Sequence, residues 1–379
     1  MDFNFTEEQQ LIRQAAKDYA EREIIKDVLE RDAKSEFPRQ HVKNLAELGF
    51  FGIITDPKYG GGGMDTLSYI LAIEEISKID SSIGVIISVH NSLACFGIET
   101  YGSEEQKDKY LPDLASGKKI GAYLLSEPEA GSDATMQRTI AEDKGDHYLM
   151  NGTKNWITNA DSGSIYIVMA QTHPEKGSRG INAFIVEKEW PGISLGPHED
   201  KMGMRSSDTH SVMFTDVKVP KENRIGEDGF GFKFAMKILE AGRISIAAQA
   251  VGIAGGAFDR ALNYAQERKA FGKLIIEHQA IAFKLADMYV KLEAARNFVY
   301  KAAVLKDQGQ PYGLASSIAK LHAAEAAMEI TTEAVQIYGG YGYVKEYHVE
   351  RLMREAKLTQ IYEGTSEIQK IVISRALQK

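Results

Sequence analysis

The chain has 379 residues, 44% hydrophobic and 26% charged, with a formal net charge of −8. That composition excludes a disordered or fibrous protein, and the length allows more core than one typical domain. The acidic balance argues against nonspecific nucleic-acid binding, and a single cysteine, Cys95, excludes an internal disulfide and a cysteine metal cluster.

Residues 1–120 read as a helical domain. The acidic stretch Met1 to Glu8 resembles neither a signal nor a transit peptide, which predicts a cytoplasmic protein, or an organelle-matrix one if a leader was removed. Thr6 followed by acidic residues is a helix-cap signal. Pro38 opens a second helix with Val42, Leu45 and Leu48 on its apolar face and Gly49 at its end. Gly60 to Gly63 break the chain, and helical spacing resumes over Leu71 to Ser77. Cys95 lies in an apolar stretch and reads as a small buried hydrophobe. No apolar run is long enough to span a bilayer.

Residues 121–228 change period and predict a middle antiparallel β domain. Asn151-Gly152 between two strand-like runs is a hairpin signal. Ser164 to Ala170, Ile181 to Glu187 and Ser211 to Val219 are strand-like, and Pro191-Gly192 and Pro220 punctuate them. Residues 229–379 return to helix. Ile281, Leu285, Met288, Leu292, Ala295, Val299 and Ala302 alternate spacings of four and three, the seam of closely packed helices. Alanine-rich Ser316 to Ile337 completes a C-terminal four-helix bundle that could also pair with copies of itself. The fold class is therefore α+β, mostly α.

Several familiar motifs fail. Gly229-Phe230-Gly231 and Gly340-Tyr341-Gly342 each lack the third glycine of a dinucleotide fingerprint and follow no strand of a βαβ unit, which excludes a Rossmann nicotinamide site. Gly272-Lys273 is followed by Leu274, so it is no phosphate-binding loop. The nine histidines are scattered and no metal motif forms.

Other segments can carry chemistry. Tyr123 to Asp133 runs from a strand into a loop bearing hydroxyls, suited to an oxygen-rich ligand or to an ordinary turn. Trp156, with Ile157 and Thr158 beside it at a strand end, could stack on a planar cofactor or fill a core. Arg268 to Lys273, with Gln279 at the next helix start, offers cations to a pyrophosphate or to solvent. In Tyr362 to Ser366, Glu363 has apolar neighbours before it and Gly364 after it. A carboxylate in such surroundings has a raised pKa and can act as a general base, although Glu-Gly alone also suits a solvated turn.

In this order, Tyr123 to Asp133, Trp156 to Thr158, Arg268 to Gly272, Gln336-Ile337-Tyr338-Gly339-Gly340 and Ile361 to Gln369 resemble the acyl-CoA dehydrogenases across essentially the whole chain. The resemblance implies noncovalent FAD, a homotetramer, and an electron-transfer flavoprotein as acceptor. Glu363 would take the α-proton of an acyl-CoA thioester while the β-hydrogen leaves as hydride to flavin N5, giving trans-2-enoyl-CoA. Tyr123, Leu125, Ser126, Trp156, Ile157 and Thr158 would contact the flavin, and Ser132 the phosphates of FAD or CoA. Arg268, Phe271, Gln279, Gln336 and Gly340 would hold the ADP half of FAD across a subunit interface, with Thr365 and Glu367 facing FAD from the last helix. Glu240 and Arg243 would touch CoA, and Gly364 the substrate. Some members carry the base one residue before the arginine matching Arg243, but here that residue is Gly242.

Ile86 to Leu93 resembles the short-chain, butyryl-CoA branch and would form a shallow uncharged acyl pocket. It lacks the cation a dicarboxylic acyl group requires, and His90 reads as structural. Short branched or dicarboxylic substrates, an oxidase that passes electrons to oxygen, and a noncatalytic homologue of the same fold are the alternatives.

Overall fold

Thr6 and Gln9 cap the first helix reciprocally, each side chain taking the other's backbone N–H, so α1 (Glu7–Arg22) starts where the cap signal predicts. A computed structural model describes residues 4–378; Met1, Asp2 and Phe3 of the acidic N-terminal stretch lie outside them. After α2 (Val28–Lys34), Pro38 caps α3 (Arg39–Glu47), which buries Val42 and Leu45. Leu48, expected on that face, is instead 52% exposed, because the helix ends before it and Gly49 turns the chain at φ +83°. The Gly60–Gly63 loop leads to α4 (Thr66–Ser77), which starts five residues before the expected Leu71, on an Asp65 cap.

The next stretch corrects the sequence reading. Helices α5 (Ser81–Ser88) and α6 (Phe96–Tyr101) are joined by a π-type turn, Val89–Cys95, into 21 continuous helical residues apolar enough to cross a membrane. Its most apolar window is 94% buried inside the protein, so it is a core helix. Asn91 and Ser92 bond to the carbonyls of Ile87 and Ser88 within the widened ladder. Cys95 is free and buried there, as expected. Helix α7 (Glu104–Ala115) closes this region with a second reciprocal cap, Ser103 with Gln106.

The strands are β1 (Gly121–Leu124), β2 (Ile140–Asp143), β3 (His147–Thr158), β4 (Ile165–Gln171), β5 (Ile181–Glu187), β6 (Ile193–Leu195), β7 (Thr209–Pro220) and β8 (Arg224–Ile225). They form one eight-stranded sheet in the order β6-β7-β3-β2-β4-β5-β8, with β1 off this path and paired to β4. Most pairings are antiparallel as predicted, but β1 and β2 both run parallel to β4. The Asn151-Gly152 hairpin does not form. Both residues lie inside β3, at a bulge in its pairing with β7, and the turn sits earlier, where Lys144 N–H donates to His147 O across Gly145. Gly152 is required for close approach: a Cβ there would lie 2.5 Å from Thr139 Oγ1.

Side chains of β4 alternate between two cores. Ile165, Ile167 and Met169 join the helical core, whereas Tyr166, Val168 and Ala170 join a second core with residues of β3 and β7, so the two faces of the strand are buried separately. The same alternation sends Tyr123 of β1 to the helical side and Ala122 and Leu124 to the sheet side.

Helix α8 (Gly231–Glu267) leads through a small hairpin, β9 (Lys269–Ala270) and β10 (Lys273–Leu274), to α9 (Gln279–Asp307) and α10 (Gly313–Tyr338). With α11 (Val349–Thr359) these form the bundle, and α12 (Ser366–Leu377) packs on α10. The predicted α9 seam is buried from Leu285 to Ala302, with Ile281 half-buried at its start.

Candidate active site

Glu363 lies in the turn between α11 and α12, where two successive residues are left-handed: φ is +51° at Glu363 and +94° at Gly364. Such a conformation costs a non-glycine residue roughly 1–3 kcal/mol, so neighbours must hold it. The Gly364 carbonyl accepts from Lys320 Nζ at 2.7 Å and from Gln369 Nε2 at 3.0 Å. Gln369 Nε2 also reaches the Glu363 carbonyl at 3.3 Å, and Thr365 caps α12 by accepting from Ile368 N–H.

This turn sends the Glu363 side chain inward. The residue as a whole is half-buried, but both carboxylate oxygens are sealed from solvent and neither has a hydrogen-bond partner among the described residues. Oε2 lies against α8 at Gly242, where a Cβ would fall 2.4 Å from it and 2.7 Å from Leu93 Cδ2 of the π-type turn. Burial pushes the carboxyl up to about 7, against the opposing fields of Arg243 and Lys320. Arg243 is itself buried; its Nη1 donates to Ser317 Oγ at 3.3 Å, its Nε has no partner, and burial lowers its guanidinium below the usual value. Lys320 is fully buried and held down to about 8 by burial. A carboxyl that titrates near neutrality, unpartnered and in apolar surroundings, can accept a proton from a bound molecule.

Around it lie several of the residues singled out above. The buried Tyr123 hydroxyl has no partner, and burial together with the field of Glu363 raises it. Leu125 and Ser126 are half-buried just past β1, and Asn155 N–H donates to the Ser126 carbonyl at 2.9 Å. A second bulge in β3, between Lys154 and Ile157, turns Trp156 out at φ +60° with 61% of its surface exposed. Ile157 is buried in the sheet core, so only its backbone is available, and Thr158 is half-buried. Ser132 and Glu367 are exposed; Thr365 and Gly364 are half-buried.

The loop after β1 is stapled by a pair the sequence reading missed. Fully buried Lys154 reaches Glu127 at 2.7 Å, Gln137 Oε1 at 3.0 Å and the Leu125 carbonyl at 3.2 Å. Glu127 accepts in addition from the N–H groups of Arg138 at 2.6 Å and Thr139 at 3.1 Å.

The Ile86 to Leu93 segment is uncharged but not wholly apolar. Ser245 Oγ meets Ser88 Oγ at 2.9 Å and Ser92 Oγ at 3.1 Å. His90 is structural: Nδ1 accepts from Gly121 N–H at 3.0 Å, Nε2 lies 2.9 Å from the Phe51 carbonyl, and burial lowers the ring to about 4, leaving it neutral.

A second group gathers at the C-terminal ends of α8 and α10. A groove of about 580 Å³ is lined there by Tyr264, Arg268, Ile337, Gly340, Tyr341 and Tyr347, and the Arg268 guanidinium stands 5.6 Å over the Tyr341 ring. Gln336 and Gln279 are exposed, and Phe271, at φ +53°, is 97% exposed. Glu240 is half-buried on α8, with Lys237 Nζ at 3.2 Å, and its charge is felt by Arg243.

Family models described as the N-terminal, middle and C-terminal domains of acyl-CoA dehydrogenase match residues 6–118, 122–217 and 229–378. The chain is 52% identical over 374 residues to the short-chain specific acyl-CoA dehydrogenase of Clostridium acetobutylicum, with 99% of both chains covered. Butyryl-CoA dehydrogenase from Megasphaera elsdenii superimposes with a TM-score of 0.99 at 48% identity, and both chains are covered in full. A chain from a solved structure reported as the electron transferring flavoprotein of Acidaminococcus fermentans also matches with a TM-score of 0.99, at 50% identity and full coverage of both.

Proposed function

The chain belongs to the acyl-CoA dehydrogenase family, and on that premise we propose that it oxidises short-chain acyl-CoA thioesters to trans-2-enoyl-CoA, with FAD as cofactor and Glu363 as the base. The observation that carries this reading is the Glu363 carboxylate, sealed from solvent, without a hydrogen-bond partner and pushed up to about 7. An α-proton next to a thioester carbonyl is too weakly acidic for a carboxylate in water. Desolvation strengthens the base, and donors at the carbonyl stabilise the charge that develops there. The backbone N–H of Glu363 takes the donor role. Arg243 keeps the carboxylate ionisable within its apolar surroundings.

The residues present fit the cofactor. An exposed Trp156 face, the Thr158 hydroxyl and the unpartnered Tyr123 hydroxyl are what a planar ring with polar edges needs. Leu125, Ser126, Ile157 through its backbone, Ser132, Thr365 and Glu367 complete that site. When bound, FAD supplies the acceptor for the hydride that leaves the β-carbon. Arg268, Phe271, Gln279, Gln336 and Gly340 hold the ADP half of a neighbouring subunit's FAD in a homotetramer; a phenylalanine exposed over 97% of its surface suits burial by a partner. Glu240, Arg243, Ser132 and Gly364 serve the CoA ester. The neutral, fully engaged His90 leaves the Ile86 to Leu93 segment without a cation, which favours monocarboxylic acyl groups over dicarboxylic ones. An electron-transfer flavoprotein accepts the electrons. The division into 1–120, 121–228 and 229–379, and a cytoplasmic or organelle-matrix location, belong to the same reading.

The test is optical. Purified protein is expected to be yellow and to bleach anaerobically with butyryl-CoA. Glu363→Gln should keep its colour and bind CoA esters without bleaching; bleaching at the wild-type rate would remove Glu363 from the mechanism.

A further inference from the structure

Lys320 of α10 is a lysine with no exposed surface, 43 residues from Glu363 in sequence and one hydrogen bond from its backbone turn. Burying an ammonium is costly unless it is engaged. Its Nζ bonds to no carboxylate among the described residues. It donates to the carbonyl of Gly364, at 2.7 Å, the residue that follows the base. Resting on the reading of Glu363 as base, we propose that Lys320 is a positioning residue for it. The ammonium clamps the left-handed Glu363–Gly364 turn through the Gly364 carbonyl and, with Arg243, supplies the positive field in which the Glu363 carboxylate ionises.

Three observations support this. The turn is strained at a non-glycine residue, so something must hold it in place. Gln369 shares the clamp, reaching the same carbonyl at 3.0 Å, but it brings no charge. Both Glu363 oxygens are left without hydrogen bonds, so the positive groups around them act through space and do not neutralise the base by pairing. A direct ion pair would hold the carboxylate low and cost it basicity. An ammonium spent on the neighbouring carbonyl lets the carboxyl ionise near neutrality while remaining a base.

The charged and titratable groups facing this centre come from every side. Glu363 is faced by Arg243 from α8, Lys320 from α10, Tyr69 from α4, Tyr123 from β1 and its own neighbour Tyr362. Lys320 is faced by Glu363, Arg243, Glu325 of α10 and Glu367 of α12. Glu325 is committed elsewhere, accepting from Gln360 at 2.7 Å and Ser366 at 2.6 Å.

The experiment uses the holoenzyme and two readouts. One is the infrared carbonyl stretch of protonated Glu363, assigned by its loss in Glu363→Gln and titrated without substrate. The other is the pH profile of anaerobic bleaching by butyryl-CoA. In Lys320→Met the infrared midpoint and the acid limb of the rate profile are expected to move up together by about one pH unit, a tenfold change in ionisation. Lys320→Arg should bring both back. Gln369→Leu, which removes a donor but no charge, should slow bleaching and leave the midpoint where it is. The proposal is overturned if Lys320→Met titrates like wild type, or if it slows bleaching by one factor at all pH values and Lys320→Arg does not rescue it. It is also overturned if Gln369→Leu moves the midpoint as far as Lys320→Met does. If Lys320→Met fails to fold, Lys320→Gln, which keeps a donor for the Gly364 carbonyl but carries no charge, takes its place: its midpoint is expected to move up in the same way, and a wild-type midpoint in it overturns the proposal. Wild-type bleaching by Glu363→Gln would instead sink the base assignment itself, a different outcome from an unmoved Lys320 titration.

Discussion

Lys154 in the sheet region and Lys320 in the bundle are both fully buried and both held down to about 8 by burial, and each shares its surroundings with a glutamate. Glu127 is fully engaged: Lys154, Arg138 N–H and Thr139 N–H all bond to its carboxylate. Burial pushes Glu127 up, but those partners outweigh it and leave the carboxyl below its usual value. The Glu363 carboxylate is more deeply desolvated, has no hydrogen bond among the described residues, and rises to about 7. The same residue types therefore make a staple in one place and leave an unpartnered carboxylate that titrates near neutrality in the other. What separates them is how deeply the carboxylate is desolvated and whether it is engaged, by a lysine and two backbone N–H groups in the first case and by no hydrogen bond in the second, where the lysine bonds to a backbone carbonyl instead.

The comparison can be broken at either end. Glu363→Gln should slow flavin bleaching by about 10³-fold, the middle of the range a general base contributes. In wild type the bleaching rate should rise with pH through about 7, as the base loses its proton. Glu127→Gln should leave the rate constant of correctly folded protein less affected and instead destabilise it by about 3 kcal/mol at pH 7, because Lys154 is left buried without its counter-charge. Equilibrium denaturation checks this, and an unchanged midpoint would mean the staple is dispensable.

The two carboxyls should also differ in sign in their effect on stability. Glu363 is raised on folding, so its contribution is full below its usual value and is lost as pH rises through about 7. The shift from 4.5 to about 7 corresponds to roughly 3 kcal/mol. Glu363→Gln never ionises, so it should melt higher than wild type at pH 8 and close to it at pH 5. Glu127 is lowered on folding, so its contribution is present above the usual carboxylate range and lost as pH falls through its depressed value. Melting curves at two pH values separate these cases. The smallest expected effect is at Gly242, where a Cβ would fall 2.4 Å from Glu363 Oε2. Gly242→Ala should slow bleaching about tenfold by displacing the carboxylate, while the helix itself gains up to about 1 kcal/mol from alanine. A full rate in that variant would show that the carboxylate is not seated against α8.

Local signals in the sequence translated well where the structure is local. The Thr6 cap and the α9 seam depend on residues three or four apart, and both formed as read. Asn151-Gly152 misled because the dipeptide suits any sharp departure from a regular strand. Here, Asn151 exchanges hydrogen bonds with Asp216 and Gly152 makes room for Thr139, so the departure is a bulge. Leu48 misled for the opposite reason, since periodicity continued one residue past the helix. Glu363 was legible only through the family resemblance, because Glu-Gly alone also suits a solvated turn and the surface that seals its carboxylate, at Gly242 of α8, is far away in sequence. Lys154, Glu127 and Lys320 were not, because the lysines meet their partners 27 and 44 residues away in sequence. A lysine in an amphipathic pattern looks like a solvated one until tertiary packing closes over it.

The apolar helix from Ser81 to Tyr101 has a consequence for synthesis. Two of the contacts that tie it down, Ser88 to Ser245 and Ser81 to Gln249, join residues 157 and 168 positions apart. At roughly 5–20 residues per second, a ribosome finishes this helix on the order of 10 s before it makes the helix that covers it. For that interval the nascent chain carries a membrane-like segment with no bundle to receive it, and the demand for chaperones during translation should peak there, not at the Glu363 turn near the end of the chain.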